Sequence, residues 1–466
     1  MKITKKGEKK MKLPTKKFGL FTAMAMVVGI VIGSGVFKSA GDVLFKAGGN
    51  LTTAIFAWII GGAIIIFSSL AFAIVALKQA NKSGIIDFVE GVVGNKVAYL
   101  VAWFINFVYF PILVGVLSWL AGSITNSLVN FEQDFTWVFA GIYFVASYIL
   151  NIFGPVIAGK WQVSATSIKL IPLILIAIVG LIFGLVNGTT IESFRVPAVV
   201  ITSSGTGLAA AVAVTAFAYD GWITALAITQ ELKDPKKNLS RALIGGALVI
   251  VLCYILFFVG LSGVITNDEA ISLAGSLDTS ILAASRLFGD FFGSLVSVLI
   301  LISVLGTLNG LTLGSVRGMY QISIKEFGPL PELFSSLGKK DQPYASGIVS
   351  FVFAFLWGII WYGNFQGFWG GFMDTSVLTI VFLYASFILV YYNIIKNFNE
   401  LGVFKRYIIP ILATIGALYL IYGAFISDPM MFVYFTIIVS VILLVGILTF
   451  NSSKVKTSSK SVAVTE

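Results

Sequence analysis

The chain has no histidine, a single cysteine and little charge: 11% of its 466 residues are Asp, Glu, Lys or Arg, against about 25% in an ordinary soluble domain. Without histidine the commonest general base and metal ligand is missing, and no Ser-His-Asp or Cys-His nucleophile system can be assembled. Cys253 lies alone inside an apolar run, so neither an internal disulfide framework nor a Cys-based zinc site can form. These absences point away from an enzyme and call for no cofactor and no metal. Apolar residues are abundant instead, at 58% of the chain, and that excludes a water-soluble globular fold. The formal net charge of +10 does not mark a nucleic-acid binder, because the lysines are dispersed among hydrophobic runs with no soluble domain to present them.

About a dozen crossings of some 20 apolar residues each would occupy roughly 240 residues. Runs of suitable length predict helices at 18–37, 52–77, 97–124, 134–153, 163–187, 207–230, 242–264, 288–314, 345–363, 368–394, 405–427 and 429–450. The expected fold class is therefore all-α and integral to a membrane, with about 12 transmembrane helices. The first run reads as a membrane span and not as a cleaved signal peptide. Gly33-Ser34-Gly35 interrupts it, it lacks an Ala-x-Ala-type site, and many more spans follow. With the amino terminus placed in the cytoplasm, 26 of the 31 Lys and Arg fall in the tails and even-numbered turns. Lys38, Lys46, Arg195 and Arg286 fall on the other side, and Lys169 lies within a span. This bias predicts that both termini are cytoplasmic. Residues 1–17, with eight lysines and one glutamate, read as a topology-setting basic tail, and 451–466 as a disordered polar tail.

Interrupted helices and buried charges are costly in lipid, which makes them the places to look for function. One interruption is Gly29-Ile-Val-Ile-Gly33-Ser34-Gly35-Val-Phe37 in the first span; the other is Phe217-Ala218-Tyr219-Asp220-Gly221-Trp222 in the sixth. Taken alone, Gly29-x-x-x-Gly33 is equally a small-residue packing pattern. A pair of breaks five helices apart is the pattern of two inverted five-helix repeats with a binding site where they meet. The freed N–H groups at a half-helix start suit a carboxylate, and the freed carbonyls at a half-helix end suit an ammonium. An α-amino acid carries both.

These residues, together with Glu231-Leu-Lys-Asp-Pro235-Lys-Lys-Asn238-Leu239, resemble the amino acid-polyamine-organocation superfamily, and within it the L-type amino acid transporter-like branch with its bacterial exchangers. The resemblance runs from about Phe18 to Phe450. It implies a LeuT-type fold, a five-plus-five inverted repeat spanning 18–187 and 207–394, with two further helices in 405–450, and amino acid transport by alternating access. By position, Val31, Gly33, Ser34 and Gly35 match the segment that binds the substrate carboxylate. Phe217, Ala218 and Asp220 match the segment whose carbonyls take the amino group, with Phe217 as an aromatic gate. Neutral L-amino acids are the expected substrates. Asp220 opens a cationic or polyamine alternative, unless its carboxylate bonds only to its own broken helix. Lys169 matches a lysine that stands where sodium-coupled cousins hold a sodium ion, which implies sodium independence. An ammonium there that releases and regains its proton would make a proton symporter, and simple snorkelling to the interface is the third reading.

Gly306-Thr307-Leu-Asn309-Gly310 in the eighth span offers polar and small groups to contact Lys169, to line the path, or to pack helices. Pro111 and Pro172 are candidates for kinks. Trp58, Trp103, Trp119, Trp357, Trp361 and Trp369 read as membrane-interface belts. Gly154-Pro-Val-Ile-Ala-Gly159-Lys160-Trp161 nearly spells a P-loop, but Trp161 replaces the Ser or Thr that would hold magnesium. A channel or a transport-derived nutrient sensor is the rival class; few buried charges and paired breaks favour a carrier. The expected partners are small amino acids and the lipid bilayer of a bacterial plasma membrane, with the chain a monomer or weak homo-oligomer. Residues 121–131 hold no cysteine, so the disulfide-linked heavy subunit of the eukaryotic branch is not expected.

Overall fold

The computed structural model describes residues 19–79, 84–129, 131–153, 169–198, 207–226, 232–275, 278–338 and 341–450. The two tails, Glu231 and the segment Gly154–Trp161 lie outside the described residues. Among the described residues the fold is helical, with no β-strand. Ten helices are long and apolar enough to cross a membrane, or eleven spans if the bent pair at the start of the chain is one.

That pair is α1 (Leu20–Val31) and α2 (Gly35–Lys46), bent by 62°. There follow α3 (Leu51–Lys78), the short α4 (Ile85–Val93), α5 (Asn95–Val129), α6 (Thr136–Phe153), α7 (Leu170–Asn187) and α8 (Leu208–Ala218). The long helices that follow are α9 (Pro235–Ser262), α10 (Asp278–Ser323), α11 (Tyr344–Phe365), α12 (Thr375–Asn397), α13 (Phe404–Ser427) and α14 (Pro429–Thr449), and short helices such as Thr189–Arg195 and Asn267–Ser272 lie between the long ones. Helix ends follow local chemistry. Asn50 caps α3 by accepting from Thr53 N at 2.9 Å, and Asp428 caps α14 through Met431 N at 3.1 Å. Pro235 opens α9, where its missing N–H costs nothing. α10 kinks at Gly289, whose φ of 75° suits a residue without a Cβ.

Burial separates interior from lipid-facing helices. The most apolar windows of α5 and α3 are 83% and 72% buried, whereas that of α14 is 22%. Along α14, Val433, Ile437, Val441, Leu444 and Leu448 form an exposed stripe at helical spacing, a face that only lipid satisfies. α7 and α9 meet backbone to backbone: a Cβ on Gly180 would stand 2.5 Å from the Gly260 carbonyl oxygen, and one on Gly184 would stand 2.4 Å from Gly263 Cα.

Three sequence expectations are corrected. The first span does not stop at Phe37. It continues through α2 to Lys46, so Lys38, sorted above with an outer loop, is a helical residue buried to 1% exposure. A hydropathy run ends at the first lysine, whereas the helix persists because Asp42 and Asp374 pair with that lysine. The tenth span begins at Thr375 and not at 368, with Asp374 as its N-cap accepting from Ser376 N and Val377 N. Finally, Trp58, Trp103, Trp119, Trp357 and Trp361 are buried in the protein interior and are no interface belt. Two of them are accommodated there because a main-chain carbonyl takes the indole N–H: Ile442 for Trp103 and Phe107 for Trp357, at 2.9 and 2.8 Å.

The Phe107 carbonyl is free for a reason readable from Pro111. Proline has no N–H to return to the residue four earlier, and the turn Ile105–Tyr109 is π-helical. α5 therefore carries a local insertion at mid-helix.

Candidate functional site

Both interruptions are present, and they touch. α1 ends at Val31, Ile32 leaves the helix at ψ 110°, and α2 restarts at Gly35 with Ser34 as its N-cap. α8 ends at Ala218, Tyr219 turns at φ −92° and ψ 2°, and Gly221 takes φ 100°. A Cβ on Gly35 would stand 2.7 Å from Ala218 Cα and 2.9 Å from the Phe217 carbonyl oxygen; one on Gly221 would stand 3.4 Å from the Ile30 carbonyl oxygen. Glycine at 35 is thus demanded by direct contact between the two broken helices. On the other side of the break, a Cβ on Gly33 would stand 3.1 Å from Thr307 Oγ1 of α10.

A broken helix leaves carbonyls without partners at the end of its first half. One hydroxyl reaches both breaks: Tyr254 Oη of α9 donates to the Ala218 carbonyl at 2.8 Å and lies 3.4 Å from the Val31 carbonyl. Tyr219, inside the second gap, donates to the Trp58 carbonyl at 2.8 Å, and Trp222 just beyond it donates to Tyr384 Oη at 2.7 Å. The breaks are therefore tied to α3, α9 and α12. Val31, Gly33, Ser34, Gly35, Phe217 and Ala218 come together here, all buried.

Asp220 sits at the same break, partly buried. Its Oδ2 accepts from the Tyr109 hydroxyl, while Oδ1 is buried without a hydrogen bond. Tyr109 closes the π-helical turn of α5. Lys169 stands at the start of α7 and Asn309 on α10. Lys169 is buried at the N-cap of α7, and its ammonium makes no hydrogen bond or ion pair with a described residue. Asn309 of α10 accepts from Asn151 Nδ2 of α6 at 3.0 Å.

An ion cluster lies over the Phe217 ring. Lys38 Nζ lies 3.1 Å from Asp374 Oδ2, 3.3 Å from Asp42 Oδ2 and 3.5 Å from Ser376 Oγ, and 5.1 Å from the centroid of the Phe217 ring. Beyond it opens a cavity of about 490 Å³ lined by Asp42, Asp374, Trp119, Val214 and Val377 among others.

Chemically the arrangement offers main-chain N–H groups at the start of α2, main-chain carbonyls at the ends of α1 and α8, an aromatic ring and one carboxylate. It offers hydrogen bonding and charge complementarity to a small ligand. The sequence reading missed Tyr254, Tyr109 and Lys38. Tyr254 gives no local signal because its partners are 36 and 223 residues away. Pro111 was a usable signal for the turn that carries Tyr109, and the Lys38/Asp42 spacing of four was one for a helix continuing past Phe37.

The profile of a family described as amino acid permease matches residues 18–448. The chain belongs to the amino acid permease family. The serine/threonine exchanger SteT of Bacillus subtilis (strain 168) is 29% identical to this permease over 423 residues, covering 89% of this chain and 92% of the relative. An uncharacterized protein of Methanocaldococcus jannaschii is 24% identical over 451 residues, 95% and 96% of the two chains. The Asc-type amino acid transporter 1 of Mus musculus is 26% identical over 312 residues, 65% of the permease and 57% of the relative. The permease is a multi-pass membrane protein, and the Bacillus subtilis and Mus musculus relatives are named as an exchanger and a transporter.

Proposed function

We propose that the permease exchanges neutral L-amino acids across a bacterial plasma membrane without sodium, by alternating access. The observation that carries this reading is the contact between the two helix breaks under one tyrosine hydroxyl. In it the N–H groups after Ser34 and Gly35 take the α-carboxylate, and the carbonyls of Val31, Phe217 and Ala218 take the α-ammonium. Phe217 closes over the bound molecule. The architecture is twelve spans arranged as two inverted five-helix repeats plus two, with both termini cytoplasmic. Relatives that carry exchanger and amino acid transporter in their names support this choice of cargo. Lys169 supplies a fixed positive charge where coupling to sodium would otherwise be needed, and no disulfide-linked subunit takes part.

One observation favours a second reading. Asp220 Oδ1 is buried without a hydrogen bond, an acceptor that the ammonium or guanidinium of a cationic amino acid would satisfy.

The experiment is uptake of a panel of radiolabelled amino acids into proteoliposomes, with and without unlabelled amino acid inside, at two pH values and with or without sodium. Uptake of serine, threonine or alanine that requires internal amino acid and ignores sodium is expected. Uptake into empty vesicles driven by a pH gradient would replace exchange with proton symport. Preference for lysine or arginine would move recognition to Asp220, and failure to take up any amino acid would end the proposal.

A further inference from the structure

A lysine that is 1% exposed is costly to bury even between two carboxylates. Charges removed from water are tolerated only with close, hydrogen-bonded partners. Its partners divide in an informative way. Asp42 is on α2 itself, one turn further along, and also accepts from Gly275 N of the loop that precedes α10. Asp374 is on a different body, the N-cap of α12, and its Oδ1 keeps three bonds of its own, from Ser376 N, Ser376 Oγ and Val377 N.

We propose that Lys38 is a positioning residue for the Phe217 gate, forming an outer latch whose ammonium exchanges partners: Asp374 holds it when the outer path is shut, and Asp42 alone travels with it when α2 and α8 swing away from α12. The inference rests on the reading of the two breaks as the substrate site. Three features of the geometry support it. Lys38 is stacked over Phe217, so its place fixes the ring. It joins α2 to α12, two elements that must separate if a ligand is to pass from the cavity beside Asp42 and Asp374 to Ser34. Both ions left behind by separation retain partners, Lys38 through Asp42 and Asp374 through its cap, so the open arrangement strands no bare charge.

The two carboxylates therefore act in opposite directions. Asp374 favours closure. Asp42 favours opening, because without it the ammonium would have to leave its last carboxylate. The test uses the full-length protein in proteoliposomes with Cys253→Ser and Ser34→Cys introduced, and reads the rate of labelling of Cys at 34 by a membrane-impermeant methanethiosulfonate added from the outer side. Lys38→Met and Asp374→Asn are each expected to speed labelling about tenfold, and Asp42→Asn to slow it severalfold. Asn at 374 still caps α12, so this variant reports the charge and not the fold. Phe372→Cys, in the cavity wall but on neither α2 nor α8, serves as a reference that labels equally in every background. Equal rates at position 34 in all variants, or faster labelling in Asp42→Asn, would overturn the latch. Labelling needs no substrate, so the latch is judged independently of whether any amino acid is carried.

Discussion

The molecule contains two clusters with the same formal composition, one lysine between two carboxylates, at opposite ends of its long helices. The first is Lys38 with Asp42 and Asp374. The second is Lys325, just past the end of α10, with Asp87 and Glu90 of the short helix α4. Lys38 is 1% exposed, whereas Lys325 is 26% exposed and its partners 29% and 23%. Burial makes the difference. Water reaches all three groups of the second cluster and leaves it the modest worth of a surface ion pair, while in the first it reaches the carboxylates, 13% and 25% exposed, but not the ammonium, which protein alone must satisfy. Equal charge counts in a sequence therefore say little about equal energies.

The largest effect that would sharpen this contrast is removal of each lysine. Lys38→Ala should lower stability in detergent by about 3 kcal/mol, the lower end of the cost of breaking a buried pair, because each carboxylate keeps another donor. Lys325→Ala should cost about 0.2–1 kcal/mol; comparable losses in thermal or denaturant unfolding would abolish the distinction. Next comes a change at the buried end that leaves charge alone. Gly35→Ala forces a methyl against Ala218 Cα and should cost about 1–3 kcal/mol by overpacking while eliminating ligand binding. Unimpaired exchange in this variant would show that the breaks need not touch. A smaller effect is expected from ionic strength. Raising salt from about 0.05 to 1 M shortens the Debye length from over 10 Å to about 3 Å, so the difference between wild type and Lys325→Ala should shrink, and that for Lys38→Ala should stay.

The smallest effect concerns an exposed pair outside the membrane. The Arg286 guanidinium holds the Glu269 carboxyl down at about 2 against an ordinary value of 4.5, and Glu269 also completes a capping box with Thr266. A lowered acid stabilises the folded state fully above its ordinary value and loses that contribution as pH falls towards 2. Glu269→Gln should therefore melt slightly below wild type at pH 7 and approach it at pH 3. An unchanged gap between these pH values would mean that the charge plays no part.

Much of this was legible before the structure. Composition gave the membrane class, and Gly33-Ser34-Gly35 and Tyr219-Asp220-Gly221 marked both interruptions, because glycine is the one residue whose φ and bulk announce a break. Illegible were the features that depend on distant partners. Lys38 looked like the end of a span because hydropathy counts a charge without its counter-charges, which stand 4 and 336 residues away. The buried tryptophans looked like interface anchors because composition cannot tell a carbonyl freed by Pro111 from a lipid headgroup. Tyr254 reads as one more aromatic in an apolar helix until its hydroxyl is seen between the two breaks.

The glycine seam between α7 and α9 has a mechanical corollary. With Gly180 and Gly184 against Gly260 and Gly263 the two backbones meet directly, and the side chain that enters the joint, Thr190, is β-branched and stiff at χ1, so the two helices resist sliding past one another by repacking and are held at a single register. Lys169 at one end of α7 and Tyr254 on α9 consequently ride on the same strut. Any rotation of that strut displaces the buried ammonium and the hydroxyl between the two breaks in one stroke, with no linkage other than the backbone itself.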